Sequence, residues 1–272
     1  MTTTGYEPYE GAKLERLTAD AAVAMSRYPD PRSALLPLLH LVQSEDGYVS
    51  PDGIRFCSQT LGLSTAEVSA VATFYTQYKR HPNGEYTVGV CTNTLCAVMG
   101  GDAIYEELSE HLGVGHDETT ADGKITLERV ECNAACDYAP VMMVNWEFFD
   151  NQTPASATQV VDRLRAGEAV APTRGATSVC SFKQMSRVLA GFSDGRADEG
   201  VGAGPATVAG TVLAREKGWT APSPGQVTDQ EDAGDVPGPL TAGLASSVDT
   251  PSAPPAGGTA DTPTGRDASK EA

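Results

Sequence analysis

Four of the six cysteines fall into two closely spaced pairs. Cys91 and Cys96 have four residues between them, Cys132 and Cys136 have three, and thirty-five residues separate the pairs. In a reducing compartment such pairs stay as thiols, which bind metals or carry out redox chemistry. All the residues between them except Leu95 are small or polar, so backbone N–H groups can turn toward the sulfurs. Four thiolates, two on each iron, are the ligands of a [2Fe–2S] cluster, and its two irons suit wide loops.

Two other uses of these cysteines stay open on spacing alone. Structural zinc also takes four cysteines, usually with two to four residues between paired ligands. A thiol–disulfide enzyme would favour Cys-x-x-Cys at a helix start, which neither pair has. Cys57 shares a predicted helix face with Ile54 and Leu61 and is expected in the core, whereas Cys180 has no assigned role. The four histidines are expected at surface or packing positions: His40, His81, His111 and His116.

The overall charge bears on both partners and redox chemistry. The chain has 272 residues and a formal net charge of −17, which argues against nucleic-acid binding because phosphates need clustered Lys and Arg. A four-thiolate [2Fe–2S] cluster carries two negative charges, and reduction adds a third. Adding that electron inside an acidic protein is unfavourable, so a low potential is expected, in the region of about −400 mV.

The sequence has no long apolar run and no apolar signal segment, which predicts a cytosolic chain.

The first eighty residues predict short packed helices with apolar stripes. Three helix starts are indicated by capping residues: Ser33, with Pro37 in the first turn; Ser50, with Pro51 next and Gly62 at the end; and Ser64, in a capping box with Glu67. The apolar run at residues 35–42 fits either a buried core or a surface that faces a partner.

Residues 81–170 predict the order β-α-β-β-β-α. The predicted elements are a strand at 86–91, a helix at 103–112, a strand at 124–131, a hairpin of 141–144 and 147–149, and a helix at 154–167. The first cysteine of each pair ends a predicted strand, and the second lies in the loop beyond it. Adjacent strands would therefore bring both pairs to one edge of the sheet. Gly100 and Gly101 fit either a close backbone approach there or an ordinary helix-start loop.

Composition predicts three parts: helical residues 1–80, a sheet domain at 81–170 and a low-complexity tail at 171–272. The tail is rich in Ala, Gly, Pro, Ser, Thr and Asp and is predicted to be disordered, since it cannot bury enough apolar surface to offset chain entropy. Two stretches within it, 182–192 and 208–219, have apolar residues at helical spacing. They are either transient helices or segments that order on a partner.

The chain resembles the family of [2Fe–2S] E subunits of bacterial NADH:quinone oxidoreductase, respiratory complex I. The resemblance covers residues 12–168. It is carried by five motifs: Tyr28-Pro-x-x-Arg32-Ser33-Ala34-Leu35-Leu36-Pro37-Leu38-Leu39-His40, Gly47-Tyr48-Val49-Ser50, Val71-Ala72-Thr73-Phe74-Tyr75, Cys91-x4-Cys96 and Cys132-x3-Cys136-Asp137-Tyr138-Ala139-Pro140. It implies an α+β fold, with a helical bundle before a thioredoxin-like [2Fe–2S] ferredoxin domain, and makes all four of these cysteines ligands of one cluster. The loop Asn133-Ala134-Ala135 lacks the Gly associated with the family, so its hydrogen bonds to sulfur are expected to differ.

The resemblance also implies a role and partners. The chain would carry single electrons beside a partner subunit that holds FMN and oxidises NADH. It has no dinucleotide fingerprint or P-loop of its own, so both nucleotides are expected on that partner only. Other peripheral-arm subunits are expected as neighbours on the cytoplasmic side of the plasma membrane, without membrane insertion or nucleic acid. Open alternatives are a diaphorase-module subunit of an NAD-linked formate dehydrogenase or hydrogenase, a structural zinc bridging protein, and a stand-alone thioredoxin-like reductase.

Overall fold

Two of the four helices before the sheet begin at capping residues that the sequence indicates. A computed structural model describes residues 9–221. The helices before the sheet are α1 Gly11–Met25, α2 Leu35–Asp46, α3 Pro51–Leu61 and α4 Thr65–Phe74. Ser50 Oγ accepts the Gly53 N–H at 2.9 Å, and Ser64 forms its capping box with Glu67. Both of these predicted helix starts are confirmed.

The helix start predicted at Ser33 is wrong. Ser33 lies inside a 3-10 turn, Pro31–Ala34, that precedes α2. The turn is capped by Asp30, whose carboxylate accepts the Arg32 N–H at 2.9 Å. Asp30 and not Ser33 is the capping residue, because a turn that begins with Pro31 is capped by the residue before the proline. Pro37 still falls in the first turn of α2, where its missing N–H breaks no intrahelical bond.

Helix α2 is the centre of the helical core. Leu38, Leu39, Leu41 and Val42 are fully buried, so most of the apolar run at 35–42 is core, whereas Leu36 is 38 % exposed. His40 in the same run is also buried, at 5 % exposure, against the ring of Tyr78. Cys57 is fully buried in this core, as predicted.

A five-stranded mixed sheet follows, in the order β2-β3-β1-β4-β5. Its strands are β1 Tyr86–Cys91, β2 Glu118–Thr119, β3 Ile125–Val130, β4 Met142–Val144 and β5 Glu147–Phe149. Strand β1 pairs in parallel with β3, with Cys91 opposite Val130, and antiparallel with β4. The strands predicted from alternation are confirmed, whereas the two-residue strand β2 was not predicted. Because β1 is central, all of it beyond Tyr86 is buried, although its sequence alternates.

Three helices accompany the sheet: α5 Thr94–Val98, α6 Gly101–Leu112 and α7 Pro154–Arg165. Helix α6 packs against β1 and β3 and contacts α7. Between β4 and β5, Asn145 and Trp146 both have positive φ, 47° and 68°, as in the tight turns that match strand twist. The predicted elements occur in the predicted order, with α5 and β2 in addition, the predicted hairpin is confirmed, and the fold is α+β.

Two further helices follow α7: α8 Phe182–Leu189 and α9 Pro205–Glu216. Helix α8 packs against α2, and Phe182 is 1 % exposed and stacks on Trp146 with ring centroids 5.7 Å apart. This part of the predicted disordered tail is therefore folded onto the chain's own core. Residues 222–272, where the rest of that prediction falls, lie outside the described residues. The division at residues 80 and 170 stays a prediction.

No helix within residues 9–221 is long and apolar enough to cross a membrane.

Candidate metal centre

The first cysteine pair lies in the interior of the protein. Cys91 ends β1, and both Cys91 and Cys96 are 2 % exposed. Cys96 lies in α5, not in an open loop as predicted, because Asn93 caps a short helix there by accepting the Thr94 N–H at 3.0 Å. Burial, together with the neighbouring thiols Cys91 and Cys136, raises the pKa of the Cys96 thiol to about 11. Metal binding at such a site would release protons.

The second pair lies in an exposed loop after β3. The Sγ atoms of Cys132 and Cys136 are 3.5 Å apart, and Cys132 raises the pKa of the Cys136 thiol. The Ala134 N–H points at Cys132 Sγ at 3.4 Å. To do so, Ala134 takes a left-handed backbone, φ 54°, which costs a residue with a Cβ about 1–2 kcal/mol. The hydrogen bond to sulfur therefore forms without the glycine that is associated with this loop in the family.

The parallel pairing of β1 and β3 brings the two cysteine pairs together at one edge of the sheet. Both strands end here. The Thr92 N–H, one residue beyond the last strand pair, donates to the Val130 carbonyl at 3.3 Å. Asn93 Nδ2 then donates to Glu131 Oε2 at 2.8 Å and links the two loops. Apolar residues from the second loop and from the start of β4 pack against the inner thiols: Ala135, Ala139 and Val141. The sulfurs of both pairs consequently interact electrostatically.

The backbone at the start of α6 reaches both inner cysteines. A Cβ on Gly101 would lie 2.4 Å from the Cys91 carbonyl oxygen and 2.9 Å from that of Cys96. Such contacts leave room for no side chain, so Gly101 makes the close backbone approach and is not an ordinary helix-start residue.

The donor set fits a two-iron group. The outer sulfurs are 3.5 Å apart, and the inner and outer thiols raise one another's pKa. A [2Fe–2S] cluster places two thiolates on each iron, which matches two pairs. The Asn133 Nδ2 atom, inside the second loop, is buried and has no hydrogen-bond partner among the described residues. It is a free donor of the kind that inorganic sulfide or thiolate sulfur accepts.

The remaining thiols and imidazoles lie apart from these two pairs. Burial in the helical core raises the pKa of Cys57 to about 12, and Cys180 is half-buried beside Glu147 and Arg196. His81 pairs with Asp117 at 2.9 Å, at the surface. Sequence reasoning missed Asn133 as a buried donor, because an Asn between two cysteines carries no signal of its orientation.

Comparison with known proteins identifies the family of this chain. The family model for the thioredoxin-like [2Fe-2S] ferredoxin matches residues 21–165. The E subunit of the NADH-quinone oxidoreductase of Mycobacterium tuberculosis is 66% identical over 210 residues, which cover 77% of this chain and 83% of the relative. NADH-quinone oxidoreductase subunit 2 of Thermus thermophilus is 36% identical over 146 residues, 53% of this chain and 81% of that protein.

Among solved structures, a chain of NAD+-reducing [NiFe]-hydrogenase aligns with a TM-score of 0.45 and 20% identity. That alignment covers 49% of this chain and 23% of the hydrogenase chain. A thioredoxin-like [2Fe-2S] ferredoxin from Aquifex aeolicus aligns with a TM-score of 0.27 and 19% identity, over 32% of this chain and 86% of that chain. The family predicted from the motifs is confirmed by the family model and the mycobacterial relative. The chain belongs to the thioredoxin-like [2Fe–2S] ferredoxin family and, within it, to the E subunits of NADH-quinone oxidoreductases.

Proposed function

We propose that this chain is the one-electron carrier subunit of an NADH:quinone oxidoreductase. In this proposal Cys91, Cys96, Cys132 and Cys136 hold one [2Fe–2S] cluster. The observation that supports it is the meeting of two thiol pairs at the β1–β3 edge, in a chain of this ferredoxin family. When bound, the cluster supplies a reversible one-electron redox site.

The chain's own residues have three tasks at this site. The ends of β1 and β3 hold the two pairs at a set separation, because the parallel register leaves neither strand free to slide. Ala135, Ala139 and Val141 keep water from the inner thiols. Hydrogen-bond donors stabilise negative charge on sulfur and so set the reduction potential of the cluster. The candidate donors are the Ala134 N–H and Asn133 Nδ2.

FMN and NADH are assigned to a partner subunit, since the chain has no nucleotide-binding fingerprint of its own. We infer that the assembled enzyme places the chain in a peripheral arm on the cytoplasmic side of the plasma membrane. The formal charge of −17 disfavours adding an electron, so the potential is expected to be low.

Iron and acid-labile sulfide analysis of the purified full-length chain tests the ligand assignment. We expect two irons and two sulfides per chain, and a reduced-state EPR signal, as a [2Fe–2S] group requires. Serine replacement of each of the four cysteines should lower the iron content, whereas Cys57→Ser and Cys180→Ser, as matched controls, should not. Stoichiometric zinc without sulfide would overturn the proposal.

A further inference from the structure

After α7 the chain returns along the exposed edge of the sheet. The Thr173 N–H donates to the Phe148 carbonyl of β5 at 2.9 Å, and Thr173 Oγ1 accepts the Asp150 N–H at 2.9 Å. Edge strands present unpaired backbone groups, and here residue 173 pairs with them. This stretch lies outside the residues that the family model matches.

Arg174, the next residue, joins three parts of the structure. Its guanidinium pairs with Asp150 at 3.1 Å, and the two side chains are only 10 % and 8 % exposed. It also lies 4.1 Å from the ring centroid of Phe148 and 5.4 Å from that of Tyr138, two residues after Cys136. Arg174 Nη1 donates to the Gly202 carbonyl at 3.3 Å. A planar, always charged guanidinium can make all of these contacts at once, whereas an ammonium cannot.

The start of α9 also contacts the turn Cys136–Tyr138, which contains the last cysteine of the loop. The Ala206 N–H donates to Tyr138 Oη at 3.2 Å, and Thr207 Oγ1 donates to the carboxylate of Asp137. A Cβ on Gly204 would lie 2.1 Å from Tyr138 Oη, so the approach is close. Asp137 directly follows Cys136, and a carboxylate at a helix start is favoured by the helix dipole.

The Cys132–Cys136 loop is the less buried half of the metal site. Cys132 and Cys136 are exposed, and Ala134 between them has an unfavourable left-handed backbone. Little burial therefore keeps this loop closed, and contacts from outside it carry more weight. We propose that two segments, residues 173–174 and 202–207, form a clamp on the turn Cys136–Tyr138 and so hold the Cys132–Cys136 loop around its metal group, with Arg174 as the positioning residue. This inference rests on the proposed function.

Loss of the group from the full-length protein tests the clamp. With dithionite as the reductant, the Arg174→Gln variant should transfer its iron to the ferrous chelator bathophenanthroline about tenfold faster than the wild type, the factor equivalent to 1.4 kcal/mol. The reduced-state EPR signal should broaden, because the loop samples more than one position. Tyr138→Phe removes the hydroxyl that Ala206 contacts while keeping the ring, and should also accelerate the loss.

Arg187→Gln is the matched control. Arg187 makes the same kinds of contact in the same part of the chain, to Asp20 at 2.8 Å and over the ring of Phe192 at 4.4 Å, but on the helical core. It should change the rate of loss by less than about twofold, since it does not touch the cysteine loop. Thermal unfolding of both variants separates general destabilisation from an effect on the site.

The outcomes are distinct. If Arg174→Gln loses its group no faster than Arg187→Gln, and its EPR signal is unchanged, the clamp is wrong while the proposed function stands. If the wild type contains no iron and sulfide, the proposed function and the clamp both fail. Arg174→Lys keeps the charge without the planar fork, so an intermediate rate supports positioning. If Arg174→Gln does not fold, the rates of Arg174→Lys and Tyr138→Phe decide.

Discussion

His40 should make the stability of the folded chain fall in mild acid. It is 5 % exposed, its ring centroid lies 4.8 Å from that of Tyr78, and Nδ1 has no hydrogen-bond partner among residues 9–221. Burial lowers its pKa from 6.5 to about 4, because a charged imidazole would lose its hydration there. Replacing His40 with Phe keeps an aromatic ring against Tyr78 and removes the titration.

The direction in which stability changes with pH follows from which state binds the proton more tightly. The unfolded chain takes up the proton near pH 6.5 and the folded chain only near pH 4, so acid favours the unfolded state within that window. One pKa unit corresponds to about 1.4 kcal/mol, so the whole difference is about 3 kcal/mol. Between pH 7 and pH 5 the wild type should lose about 2 kcal/mol of unfolding free energy that His40→Phe keeps.

Urea unfolding followed by circular dichroism at pH 7, 6 and 5 measures this difference. Comparing the two proteins at each pH cancels the contribution of every titrating group that they share. His81→Asn is a control of opposite sign: Asp117 raises the pKa of His81, so its contribution is present in acid and is lost as the pH rises. Parallel loss of stability in the wild type and in His40→Phe would refute the reasoning.

Three further variants test the site and the core. Asn133→Leu removes the unpaired amide donor and should lower the midpoint potential in an EPR-monitored titration, by about 60 mV per 1.4 kcal/mol of lost stabilisation of the reduced form; an unchanged potential would contradict this. Gly101→Ala places a Cβ 2.4 Å from a backbone carbonyl and should reduce iron and sulfide content, whereas Gly210→Ala, in open space, should not. Gln43→Leu leaves the Lys79 N–H without its 2.8 Å acceptor and should cost about 1–3 kcal/mol in urea unfolding.

The elements that could be predicted are those whose signals are local. Ser50 and Ser64 cap helices through contacts within three residues, and the Asn145-Trp146 turn needs only its own backbone conformation. Ser33 shows the limit of this reasoning. Both Asp30 and Ser33 could cap a helix start, and Asp30, the residue before Pro31, is the one that does. Local competition of this kind is decided by geometry that the residue types alone do not contain.

Long-range packing could not be predicted. Phe182 is buried because Trp146 and α2, at distant points in the chain, pack against it, and the Ala- and Gly-rich composition around it indicates only disorder. At the site the cysteine spacing predicted paired thiols for metal or redox chemistry, the flanking motifs favoured iron–sulfur over zinc, and alternation predicted which strand ends meet. Arg174 carried no signal, because nothing near it in sequence marks an arginine that contacts Tyr138 from thirty-six residues away.

The unequal depth of the two cysteine pairs bears on how such a site would be built and repaired. The inner pair is placed by the sheet and is sealed, while the outer pair reaches solvent. A maturation factor that delivers iron and sulfide would first meet the outer thiols, and the inner ones would already be held in a formed framework. Oxidants would also reach the outer thiols first, since susceptibility follows exposure. Damage could then be reversed at the surface without unfolding the sheet beneath it.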